Sequence, residues 1–145
     1  MSHQEVILSN YGPAFKIDMK FRLKGLPREG WANIFHISNG QNEGRGGRYP
    51  ALFLNRGNFF HFTTCIDDNF NYQKNVGYLS QQLFDITIEQ KFIQGKWKHQ
   101  IFLDGQLLLS KDYSDPIVIE NAKLYLSDPW YEAANVEFLY FRVEY

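Results

Sequence analysis

The residues with most chemical potential lie near the C-terminal end, in Ser127-Asp128-Pro129-Trp130-Tyr131. Asp128-Pro129 is a turn-initiating pair, so Trp130 and Tyr131 fall in a loop instead of an alternating strand. Aromatic faces stack on the apolar faces of sugars, and a neighbouring carboxylate can accept two hydroxyl hydrogen bonds. Asp128, Trp130 and Tyr131 therefore form a candidate sugar subsite, against the alternative that Trp130 plugs one end of the fold and Asp128 caps a turn. Arg48, at the end of a glycine-rich loop, and His61, in an aromatic segment, complete the candidate ligand-binding set. Asp67, Asp68 and Asn69 bring several oxygens together, and calcium is the cofactor such a set would hold. Their spacing does not match an EF-hand, and a solvated loop is the competing reading. His61 and Cys65 alternate on one strand face but stand roughly 13 Å apart, too far for a nucleophile and base to meet. Asp85, Thr87 and Glu89 share a strand face at steps of about 7 Å. Two carboxylates at about 5–5.5 Å would be needed for retaining glycoside hydrolysis.

These residues must be positioned by strands. Positions 83–109 read as three strands joined by Gln94-Gly95 and Asp104-Gly105, the latter a strong hairpin signal because a type I′ turn needs positive φ at both central residues. Positions 14–24 alternate Phe15, Ile17, Met19, Phe21 and Leu23 with Lys16, Asp18, Lys20, Arg22 and Lys24, which demands one buried and one wet face. Trp31 to Ser38 is a further strand. It enters Asn39-Gly40-Gln41-Asn42-Glu43-Gly44-Arg45-Gly46-Gly47, a loop expected to be mobile unless a ligand or neighbour orders it. That loop is no phosphate cradle, because no Lys-Ser/Thr pair closes it and no helical pattern follows. Positions 49–54 and 59–67 pair as a hairpin, 67–75 reads as a polar loop, and 134–145 is a long last strand. With ten to twelve short strands and no helical periodicity, the expectation is an all-β fold, a two-sheet antiparallel β-sandwich.

Composition sets limits on this reading. The 145 residues suit a single domain, 1–145, and the 13 Phe and 9 Tyr favour pleated surfaces over helices. A net charge of −1 with interspersed signs gives no steering field for nucleic acid. No apolar run approaches the ~20 residues needed to span a bilayer, so no membrane insertion is expected. One cysteine precludes an internal disulfide, and there is neither an Asn-x-Ser/Thr sequon nor a basic-then-apolar leader.

Three patterns together resemble the concanavalin A-like lectin/glucanase superfamily, and within it the laminin-G-like jelly rolls. The first is the strand-turn-strand run through Lys96-Trp97-Lys98-His99 and Asp104-Gly105. The second is the set 15–23, 31–38 and Arg48-Tyr49-Pro50-Ala51-Leu52. The third is Tyr125-Leu126-Ser127-Asp128-Pro129-Trp130-Tyr131-Glu132-Ala133-Ala134. The resemblance implies a jelly-roll recognition module that binds a glycan or glycoprotein through rim loops 39–48, 67–75 and 127–133, with calcium on rim loops and an extracellular or cell-surface setting. Family-16 glucanases of the superfamily carry a Glu-x-Asp-x-Glu strand; here Asp85 and Thr87 replace the first two members, so the expectation is a module without catalytic activity. The galectin signature His-x-Asn-Pro-Arg is missing, and Phe60-His61-Phe62 is only an echo of it, so a galectin-type β-galactoside site is not expected. The alternative function is a protein-interaction or structural domain of a larger assembly, suggested by the aromatic excess.

Overall fold

The computed structural model describes residues 5–77 and 81–145, which form the expected two-sheet β-sandwich without a helix. The larger sheet runs β1 (Glu5–Tyr11), β10 (Ile119–Tyr125), β3 (Trp31–Ser38), β4 (Ala51–Asn55), β5 (Phe59–Ile66) and β6 (Asn69–Gly77), with two-residue β11 (Glu132–Ala133) beside β3. The smaller sheet runs β12 (Val136–Glu144), β2 (Phe15–Leu23), β7 (Leu83–Ile93), β8 (Lys96–Leu103) and β9 (Gln106–Tyr113). Every pairing is antiparallel except the short one between β11 and β3.

The period-2 patterns set the faces. Phe15, Ile17, Met19 and Phe21 of β2 and Phe84, Ile86 and Ile88 of β7 meet Ile34, Phe35, Leu52, Leu54, Phe60 and Phe62 of the larger sheet in one core. Phe21 and Phe60 meet edge-on at 5.9 Å, tying the sheets together through an aromatic contact. Both hairpins of the smaller sheet turn as the sequence requires, with positive φ at Gln94 and Gly95 and at Asp104 and Gly105. Asp104 also accepts the amide of Asp85, so the turn residue pins the neighbouring strand.

One polar cluster interrupts the core. Gln90 donates to the Tyr49 hydroxyl at 2.7 Å, while its carbonyl faces His99 Nδ1 at 2.9 Å. Burial pushes His99 down to about 3, so this imidazole stays neutral.

The strand expectations need one correction. Positions 67–75 are not a loop: after the turn at Asp67 and Asp68 the chain forms β6, an edge strand pairing with β5 from Phe59↔Gly77 to Ile66↔Asn69. Its asparagines disfavour a strand by propensity, but the ladder to β5 overrides that preference.

Candidate functional site

The outer face of the larger sheet, away from the core, is built by β3 to β6. A bulge between Asn33 and Phe35 shifts the register of β3 against β4. Strict alternation along Trp31 to Ser38 would separate Asn33 from His36; with Ile34 and Phe35 both sent to the core, Asn33 and His36 share the outer side.

His36 is the anchor of this face. It is fully buried, with Nδ1 2.8 Å from Asp128 Oδ2 and Nε2 2.6 Å from the Gly47 carbonyl. A carbonyl can only accept, so Nε2 donates to Gly47, while Nδ1 and the Asp128 carboxyl form the bond that ties the ring to the second loop. The other carboxylate oxygen, Oδ1, accepts the amides of Trp130 and Tyr131, both at 3.0 Å. Asp128's own amide donates to Asn33 Oδ1, whose amide nitrogen donates to the carbonyls of Phe35 and Leu52. Two loops, 39–48 and 127–131, are thus clamped onto β3 through one imidazole.

The glycine-rich loop is ordered by its own contacts. Asn39 donates from its side chain to the Arg45 carbonyl and from its backbone to the Gly46 carbonyl. Gly47 admits no side chain, because a Cβ there would overlap the backbone of Glu43. That close approach delivers Arg48 to the sheet. Its Nε donates to the Asn42 carbonyl at 3.0 Å, Nη1 to Asn71 Oδ1 at 3.1 Å, and Nη2 to the Tyr131 hydroxyl at 3.2 Å. The guanidinium lies 5.0 Å over the Phe53 ring, and Tyr131 meets the same ring edge-on at 5.0 Å.

Beside this assembly opens a cleft of about 200 Å³. It is lined by the aromatic rings of Trp31, Phe53 and Tyr131, by His61 and Arg48, and by the amides of Asn71 and Gln73. Trp31, 37% exposed, contacts His61 at 5.0 Å between ring centres. His61 Nδ1 pairs with Asn75 Oδ1 at 2.6 Å. Burial pulls the His61 pKa below its ordinary value, Asn75 opposes, and Arg48 adds a smaller downward push. His61 is therefore neutral at pH 7 and its Nδ1 donates to Asn75, which leaves Nε2 as an acceptor. A second depression, about 250 Å³, lies beyond Arg48 and Asn71 and is lined also by Glu43, Gly44 and Phe70.

Of the residues singled out by sequence, Arg48, His61 and Tyr131 meet in the cleft. Asp128 is corrected: it is fully buried with both oxygens engaged, so it positions the loop and offers nothing to a ligand. Trp130 stands at the rim, packed on His36 and Tyr125, and does not line the cleft. Asp67 is held by protein donors. Its Oδ1 accepts the Ser114 amide at 2.8 Å, the Ser114 hydroxyl and the Asp115 amide at 2.9 Å. These donors hold its carboxyl below the usual carboxylate range and strap the β5–β6 turn to the segment after β9. Asp68 is exposed and Asn69 caps the Asn71 amide; among the described residues no three His, Cys, Asp or Glu side chains gather as a metal-binding group.

Trp31, Phe53, Asn71 and Gln73 were not anticipated. Trp31 opens a strand like any core tryptophan, and its exposure follows from the bulge beyond it. Asn71 and Gln73 became legible only once β6 existed, since alternate strand positions then share a face. Asp85, Thr87 and Glu89 lie elsewhere, on the outer face of the smaller sheet, where Thr87 donates to Asp18 and Glu89 pairs with Lys91.

No protein-family model matches the sequence, and no curated protein is similar to it in sequence. Solved structures do share its architecture. Sheep galectin-11, solved with glycerol, superposes with a TM-score of 0.56 at 9% identity, covering 99% of this chain and 98% of its own. The CBM40 module of a Ruminococcus gnavus IT-sialidase, bound to α2,3-sialyllactose, gives 0.52 at 13% identity over 90% of this chain and 74% of that one. Trypanosoma rangeli sialidase, in complex with sialic acid, gives 0.61 at 10% identity over 90% of this chain but 20% of the enzyme. The fold is thus the concanavalin A-like jelly roll expected from sequence. At these identities the likeness defines architecture alone.

Proposed function

We propose that this protein is a lectin-like recognition module without catalytic activity, binding carbohydrate on the outer face of the larger sheet. The observation that carries the reading is the pairing of a partly exposed indole, Trp31, with amide and imidazole groups held in place by their neighbours. A pyranose ring presents an apolar face for stacking and hydroxyls that both donate and accept. The cleft answers with Trp31, the His61 acceptor and the amides of Asn71 and Gln73. Its wall contains no carboxylate, whereas glycoside hydrolysis ordinarily uses two. The galectin and sialidase-module neighbours support a carbohydrate partner in general terms.

A glycan array probed with the intact protein and with Trp31→Ala, each with and without calcium, tests the proposal. Binding to defined glycans by the intact protein and its loss in Trp31→Ala is the expected result. Silence toward every glycan at high micromolar protein, in either condition, overturns it. The competing reading, a protein-docking domain, draws on the β7–β8 hairpin tip, where Phe92 is 61% exposed and meets Trp97 edge-on. Glycan binding that survives Phe92→Ser but not Trp31→Ala decides between them.

A further inference from the structure

Arg48 is the one formally charged side chain in the wall of the Trp31 cleft. It is 7% exposed, and its protein acceptors are all neutral: the Asn42 carbonyl and side chain, Asn71 Oδ1 and the Tyr131 hydroxyl. The carboxylate nearest to it among its ion pairs, Glu43, lies 4.0 Å away with its side chain 80% exposed. A guanidinium does not deprotonate, so its burial without a close counter-ion is costly. Neutral acceptors and the Phe53 ring offset part of that cost without cancelling the charge.

The surroundings favour an incoming anion. Asn71 Oδ1 is taken by Arg48 and by Thr63 at 2.5 Å, so the rest of that amide, its NH2, is what remains to donate. Arg48 and Asn71 both line the Trp31 cleft and the second depression, so they form the ridge between the two. An anionic substituent at this ridge would meet a fixed positive charge and an amide donor while its sugar ring reached Trp31.

We propose that the site selects acidic sugars, with Arg48 recognising a carboxylate or sulfate group and Asn71 donating beside it. The inference rests on the carbohydrate-binding reading above and names its ligand class. A charge-assisted bond gained by the acidic ligand alone corresponds to a preference of about tenfold or more over the neutral parent.

Calorimetric titration of the intact protein with lactose against α2,3-sialyllactose, and with galactose against galactose 6-sulfate, measures that preference and separates carboxylate from sulfate. At least one acidic member is expected to bind about tenfold more tightly, with the margin shrinking as salt rises. Arg48→Gln should bring the ratio toward one. Glu43→Gln removes the competing carboxylate at an exposed position and should widen the ratio. Equal affinity for acidic and neutral members, insensitive to salt and to Glu43→Gln, overturns acidic selection while leaving carbohydrate binding intact. Failure of all four sugars, with the glycan array equally silent, overturns both.

Discussion

On the smaller sheet, the outward residues of β2 and β7 (Lys16, Asp18, Lys20, Asp85, Thr87, Glu89) are exposed or half-buried. On the larger sheet the outward residues Asn33, His36, Ser38 and Thr63 are almost completely buried. Both faces are polar, but their polarity differs in kind. The first consists of charged side chains in partly exposed pairs such as Lys16–Asp18 and Lys91–Glu89, in which the lysine reaches solvent. Such pairs contribute little to stability because each ion is already well solvated. The second consists of short amides, hydroxyls and the imidazoles of His36 and His61, bonded to loops 39–48 and 127–131 or to β6. Covering a polar face is costly unless every group finds a partner, and partners fix geometry. The covered face is therefore the one on which side chains can be pre-organised for a ligand.

The sharpest way to break this contrast is Asp128→Ala. It leaves His36 buried without its carboxylate and frees the amides of Trp130 and Tyr131. A destabilisation of about 3–5 kcal/mol is expected by denaturant unfolding, the range for removing one partner of a buried pair. A loss below about 1 kcal/mol would place Asp128 among ordinary surface residues.

Acidification probes the neutral histidines. His61 and His99 both have folded pKa values below the ordinary value of about 6.5. As pH falls through that value the unfolded chain takes up protons that the folded chain refuses, so stability is lost toward acid. The slope approaches about 1.4 kcal/mol per pH unit for each histidine held neutral. Unfolding midpoints across pH 7 to 4 check this, and His99→Gln should flatten the curve.

Trp31→Ala separates binding from folding. Glycan affinity should fall about tenfold or more, with a stability loss of about 1–2 kcal/mol because the indole is only partly buried. The smallest effect belongs to the outer face of the smaller sheet. Glu89→Gln should shift stability by no more than about 0.5 kcal/mol and leave glycan affinity unchanged, as thermal unfolding and calorimetry would record.

How far the sequence discloses this arrangement depends on how local each signal is. The alternation in β2 and the Asp104-Gly105 turn depend on neighbouring residues alone, and both read correctly. The bulge in β3 has no local marker in Trp31-Ala-Asn-Ile-Phe-His-Ile-Ser, so the shared face of Asn33 and His36 is not foreseeable. Asp128 shows how a locus and even the turn-capping alternative can be legible while the long-range partner is not. Its loop was identified from turn chemistry, but its partner His36 lies 92 positions away in sequence. Asn71 and Gln73 were hidden because an asparagine-rich segment looks like a loop until its ladder to β5 is known.

The proposed site places ligand recognition on the covered face. Proton–nitrogen correlation spectra recorded during titration with α2,3-sialyllactose test it most directly. Perturbations gathered on the Trp31 indole, the Asn71 and Gln73 side-chain amides, Arg48 and Tyr131 are the predicted result. Perturbations gathered instead around Asp85, Thr87 and Glu89, or around Phe92 and Trp97, would contradict it.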